Sequence, residues 1–127
     1  MNLNQVTIPS VDVPRAVAFY QQLGLRLIVD SSPRYVRFEC PAGNATLSIH
    51  HVAQCTPNPD LVIYFECEKL DDVVADLKSK GIVFDSDPQD QSWLWREAYL
   101  RDPDGNVICL FYAGENRLNP PWRINNE

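Results

Sequence analysis

Val11–Leu27, VDVPRAVAFYQQLGLRL, carries the pattern on which the fold turns. Asp12 is placed to cap a helix, Pro14 suits its first turn, and Val13, Ala16, Val17, Phe19, Tyr20 and Leu23 form an apolar face before Gly24 stops it. Upstream, Leu3–Ile8 alternates as a short strand that Pro9-Ser10-Val11-Asp12 breaks. Downstream, strands are expected over Leu25–Val29, Tyr35–Cys40 and Ala45–Val52, with Pro41-Ala42-Gly43-Asn44 as the hairpin connection between the last pair.

The same plan then recurs. Leu61–Cys67 reads as a strand, and Leu70–Lys80 as a helix with Val73, Val74 and Leu77 on one face and Gly81 at its end. Ile82–Phe84, Trp95–Arg101 and Asn106–Tyr112 read as three more strands, the last pair joined by Asp102-Pro103-Asp104-Gly105. Gly24 and Gly81, Val17 and Val74, Ala18 and Ala75, and Leu25 and Ile82 share one offset of 57 residues. A constant offset inside one chain is the mark of internal duplication. The fold class is therefore α+β: two βαβββ modules in tandem, residues 1–52 and 60–113, within one domain over 1–113. His51–Asp60, with Pro57 and Pro59, is the expected linker.

Composition bounds the function. A chain of 127 residues is about the size of one domain and long enough to bury a core without disulfides. No apolar run approaches the roughly 20 residues that span a bilayer, and MNLNQVTIPS lacks the basic-then-apolar pattern of a secretory signal, so a cytoplasmic location is the expectation. Cys40, Cys55, Cys67 and Cys109 are dispersed without a C-x-x-C pair, which suits reduced structural thiols. A net charge of -6 argues against nucleic acid or an anionic membrane as partner, because phosphate binding needs a basic patch.

Two βαβββ modules, the D-x-x-x-A-x-x-F-Y-x-x-L-G helix from Asp12 to Gly24, and DPDGNVICLF from Asp102 to Phe111 together resemble the vicinal oxygen chelate superfamily. It includes glyoxalase I, extradiol dioxygenases, fosfomycin-resistance transferases and bleomycin-resistance proteins, and the resemblance covers about residues 1–113. It implies the glyoxalase/bleomycin-resistance/dioxygenase fold, a mixed sheet curled into a cup, and a symmetric homodimer. Metal-using members aim four side chains into the cup, typically His or Gln, Glu, His and Glu. By resemblance these positions fall on Gln5, Ser48, Val62 and Cys109. Only Gln5 is an ordinary ligand there. Val62 has no donor, Ser48 is a poor one, and Cys109 suits a softer metal than the magnesium, iron, nickel or manganese common in such sites.

A shifted ligand set remains open, since strand residues two apart share a face. Gln5, His50 and Glu66, with Glu97, are the candidates for one divalent metal ion; solvated strand-end residues are the plain alternative. The face that would line the cup carries Gln5, Thr7, Ser48, His50, Tyr64, Glu66, Cys109 and Phe111, polar and aromatic as a small organic ligand requires. In QSWLWREAYL, Trp93, Trp95, Glu97 and Tyr99 add a second cluster, with Arg96 on the opposite face. Its aromatics suit ligand stacking and core or dimer packing equally. Arg34 and Arg37 read as ligand clamps or, more simply, as surface charge. The tail Gly114–Glu127 lies outside the family plan, and its Trp122 is expected to pack on the domain or a partner chain.

Two functions follow. The leading expectation is a small-molecule-binding protein with a degenerate metal site and no cofactor, by analogy with the bleomycin-resistance proteins. The competing one is a metal-dependent glyoxalase-like lyase, isomerase or dioxygenase in which Glu66 or Glu97 moves the proton. Glutathione is disfavoured as co-substrate because a basic cluster for its carboxylates is missing. A purely structural dimer module has little need of a polar cup.

Overall fold

The computed structural model describes residues 1–125 of the chain. Two compact units result: Met1–Asp60 together with Asp102–Asn106, and Leu61–Arg101 together with Val107 onward. Each holds a four-stranded mixed sheet and one helix, and each is described by itself.

In the first unit, β1 (Gln5–Ser10), α1 (Val13–Gln22), β2 (Arg26–Ser31), β3 (Tyr35–Glu39) and β4 (Thr46–His51) follow in chain order. The sheet order is β1-β4-β3-β2, with β1 parallel to β4 and the other pairs antiparallel. Asp12 caps α1 by accepting from the Arg15 amide at 3.2 Å, and Pro14 occupies the first turn. The helix presents Val13, Ala16 and Tyr20 to the core that Ile8, Val36, Phe38, Leu47 and Ile49 build from alternate strand positions. The opposite positions, Gln5, Thr7, Tyr35, Arg37, Thr46 and Ser48, share the other face of the sheet.

The Asp102–Asn106 turn completes this unit. Asp102 is buried, and one of its carboxylate oxygens accepts from the Asp104 and Asn106 amides at 2.9 Å each. The other accepts from the Tyr20 hydroxyl at 2.7 Å and from Asn106 Nδ2 at 2.8 Å. Burial, with the negative charge of Asp102 beside it, drives the Tyr20 phenol far above its usual range, so it stays a donor. Gly105 has φ +87°, and a Cβ there would sit 2.9 Å from the Pro57 ring, so this position admits only glycine without movement.

The second unit repeats the plan with β5 (Val62–Glu66), α2 (Leu70–Ser79), β6 (Gln89–Asp90), β7 (Arg96–Arg101) and β8 (Val107–Tyr112), in sheet order β5-β8-β7-β6. Here β5 is parallel to β8. Leu70, Val74 and Leu77 of α2 are buried, as are Ala98, Leu100, Ile108 and Leu110 of the sheet. The strand expected at Ile82–Phe84 is a correction: Phe84 makes a single bridge with Leu100, and the paired strand is the later, shorter β6. Ser86 explains the break. The amides of Asp85 and Ser86 both turn onto the Tyr99 carbonyl, and the Ser86 hydroxyl takes the Tyr99 amide at 3.1 Å, filling ladder positions with a side chain before Pro88. The other elements stand within two residues of their expected bounds.

Beyond β8, Gly114–Asn116 forms a short 3-10 helix. Trp122 of the tail is 57% exposed within the single chain; Asn126 and Glu127 lie outside the described residues. No described helix is long and apolar enough to cross a membrane.

Tyr20→Phe, which leaves Asp102 buried with one donor fewer, is expected to cost about 1–2 kcal/mol. Gly105→Ala, which forces a Cβ onto Pro57 at positive φ, is expected to cost at least as much. Urea denaturation curves with unchanged slope would measure both.

Candidate functional site

The polar face of the first unit is one connected hydrogen-bond network. Gln5 Nε2 donates to the Ser48 hydroxyl at 2.7 Å, and the Thr46 hydroxyl donates to Gln5 Oε1. Ser48 and the Tyr35 hydroxyl share a bond of 2.6 Å, and Arg37 Nε donates to that phenol at 2.9 Å. The hydrogen bond with Ser48, and secondarily that from Arg37, hold the Tyr35 phenol below its usual range. Strand register brings these groups together: Ser48 lies opposite Thr7 on β1 and Arg37 on β3, and His50 opposite Tyr35. Thr7 touches the edge of the network, its hydroxyl 3.4 Å from Gln5 Nε2, and His50 is exposed beside it. Tyr35, Thr46 and Arg37 carry much of this network, and the sequence reading singled out only Arg37 among them. Alternation from Arg37 to Tyr35 was visible in the sequence; the register that sets both against β4 was not.

The corresponding face of the second unit is aromatic. Trp95 stacks on Phe111 with centroids 4.6 Å apart and planes 19° from parallel. Tyr64 meets both rings edge-on, at 5.9 Å from Trp95 and 5.6 Å from Phe111, and remains 47% exposed. Beneath lie Cys109 and Ala113, with Val62 and Tyr99 packed against them. Arg96 points to the other side, as alternation requires, bridging Asp71 at 2.9 Å and Asp90 at 3.0 Å.

Both carboxylates singled out for proton transfer have protein partners. Glu97 is 4% exposed; its Oε2 accepts from Trp93 Nε1 at 3.1 Å and its Oε1 from the Tyr99 hydroxyl at 3.4 Å. Burial raises the Tyr99 phenol well above its usual range, keeping it a donor. Glu66 Oε2 accepts the Ala113 and Gly114 amides at 2.9 Å each, and Oε1 lies 3.7 Å from Arg117 Nε. Trp95 Nε1 reaches the Asn116 carbonyl at 3.4 Å. Glu66 thus anchors the start of the tail, a role set by residues nearly fifty positions away that no local pattern announces.

The donor set does not fit the hard divalent ion that the resemblance implied. Val62 offers no donor atom. Cys109 is fully buried, and burial together with the negative charge of Glu97 pushes its thiol up to about 12, so it is not the thiolate a metal needs. Ser48 and both ends of the Gln5 amide are already hydrogen-bonded. Of the shifted set, His50 and Gln5 lie in the first unit and Glu66 in the second, where two backbone amides occupy one of its oxygens. Among the described residues no three His, Cys, Asp or Glu side chains group as a metal site.

A tandem pair of βαβββ units, each with its first strand parallel to its last, defines a two-module α+β protein. The profile of the Glyoxalase/Bleomycin resistance protein/Dioxygenase superfamily matches residues 2–110, and the chain belongs to that superfamily. A glyoxalase/bleomycin resistance protein/dioxygenase from Nocardioides is similar over 98% of this chain and 90% of its own, with TM-score 0.76 and 21% identity. The lactoylglutathione lyase of Agrobacterium tumefaciens is similar over 93% of this chain and 96% of its own, with TM-score 0.75 and 18% identity. A family enzyme from Burkholderia phytofirmans PsJN matches over 89% of this chain and 99% of its own, with TM-score 0.73 and 20% identity. These likenesses establish the shared fold. The search of curated proteins gave no match.

Under native conditions Cys109 is expected to react with iodoacetamide more slowly than the half-buried Cys55, by on the order of tenfold or more, because it has neither thiolate nor access. Peptide mass mapping after timed quenching would report the order.

Proposed function

We propose that the protein is a small-molecule-binding member of the superfamily that has given up the usual metal quartet and holds a flat organic ligand against the aromatic face of its second module. The observation that carries this reading is Trp95. Its indole is braced by Phe111 and also lines a cleft of about 400 Å³, together with Leu94, Tyr112 and Asn116. That volume suits a small organic ligand. A pre-stacked indole loses little conformational freedom on binding, so contact with a planar ligand is translated efficiently into affinity. Tyr112, exposed in the same cleft, supplies a second aromatic contact. Replacement of a carboxylate by the neutral Cys109 thiol supports the same reading, since it lets the ring cluster pack without a buried charge.

A melting-shift screen of planar aromatic compounds, followed by tryptophan fluorescence titration, tests the proposal. Trp95→Ala is expected to weaken a hit by about tenfold or more, equivalent to about 1.4 kcal/mol or more, while Trp122→Phe leaves affinity unchanged. Magnesium, manganese, nickel and zinc are expected to leave the melting temperature unmoved. Near-stoichiometric metal in protein purified without chelator, lost in Gln5→Ala and His50→Ala, would overturn it in favour of a metal-dependent lyase, isomerase or dioxygenase.

A further inference from the structure

The polar network of the first unit has a direction, and the direction ends at Tyr35. Ser48 is fully buried, so its hydroxyl proton needs an acceptor inside the protein. Its oxygen already accepts from Gln5 Nε2 at 2.7 Å. The assignment of that amide end is fixed by its neighbours: the same nitrogen lies 3.3 Å from the Val6 carbonyl, which can only accept, while Oε1 takes the Thr46 hydroxyl. The Ser48 proton is therefore directed to the Tyr35 oxygen, 2.6 Å away. Arg37 Nε, a permanent cation's donor, gives a second proton to that oxygen at 2.9 Å.

With two donors already on its oxygen, Tyr35 has its own phenolic hydrogen left over. Among the described residues that hydrogen has no acceptor, and the terminal amino groups of Arg37 have none either. Both side chains are half-buried rather than covered. The charge of this face also runs against that of the molecule. The net charge is -6, yet the permanent cation Arg37 stands on this face, and Glu39, the acidic residue on the same side of β3, is paired with Arg26 at 3.0 Å.

We propose that Tyr35 and Arg37 form an oxyanion-binding site that takes the carboxylate of a small organic acid. One carboxylate oxygen would accept the Tyr35 hydroxyl and the Arg37 terminal amino groups would supply charge-assisted donors, a combination stronger than neutral hydrogen bonds. Ser48 acts as a positioning residue, itself held by Gln5, which Thr46 holds in turn: together with Arg37 Nε it fills the phenol oxygen's acceptor capacity and so turns the phenolic hydrogen outward. The inference rests on the first unit alone and stands independently of the aromatic face.

Benzoate and its neutral counterpart benzamide make the test, observed at the Arg37 Nε–H resonance of nitrogen-15-labelled full-length protein. Benzoate is expected to shift that signal saturably and benzamide to leave it in place. Arg37→Gln should weaken benzoate binding by about tenfold or more, and Tyr35→Phe, which removes one hydroxyl, by about three- to tenfold. Unchanged melting temperatures certify that the variants fold. Absence of a saturable benzoate shift, an equal response to benzamide, or native affinity in folded Arg37→Gln would overturn the proposal.

Discussion

In each module the first strand lies beside the last and runs parallel to it, β1 with β4 and β5 with β8. A parallel pair cannot be closed by a tight turn, so the helix and two intervening strands serve as the crossover, and the helix covers one face of the sheet. That burial fixes the register: a slip of one residue would send Ile8, Leu47 and Ile49 to the open face and bring Gln5 and Ser48 into the core. The chemistry described above is the remainder left by this constraint. Whatever faces away from the helix is free to be polar, as in the first module, or aromatic, as in the second.

The duplicated plan was legible because it depends on short-range signals. Asp12, Pro14 and Gly24 mark a helix from its ends, and the offset of 57 residues needs no knowledge of contacts. The strand at Ile82–Phe84 failed for a reason equally local in origin but tertiary in effect: Ser86 competes for the ladder with its own hydroxyl. Three apolar residues express a preference for β-structure, and the partner decides whether it is realised.

The candidate site divides along the same line. Tyr64, Cys109 and Phe111 were assigned to one face from the sequence, whereas Trp95, read there as part of a second cluster with Trp93, Glu97 and Tyr99, joins them only in the folded chain. What Glu66 and Gln5 do was illegible, because their partners come from distant segments: Glu66 is used by Ala113 and Gly114, and Gln5 by Ser48 and Thr46, whereas Glu97 is used by its near neighbours Trp93 and Tyr99. A carboxylate or amide read from sequence is available chemistry; in the folded chain much of that availability has been used to hold other groups of the chain in place.

The hairpin turns that duplication makes equivalent have also parted company. At Gly43 a side chain would meet nothing within 4 Å, whereas at Gly105 it would meet Pro57 at 2.9 Å. For engineering, the two loops are consequently not interchangeable: a fluorophore, affinity epitope or surface tether belongs in Pro41–Asn44, where added bulk faces open space. The Asp102–Asn106 loop has instead lost the freedom to vary that surface turns usually retain.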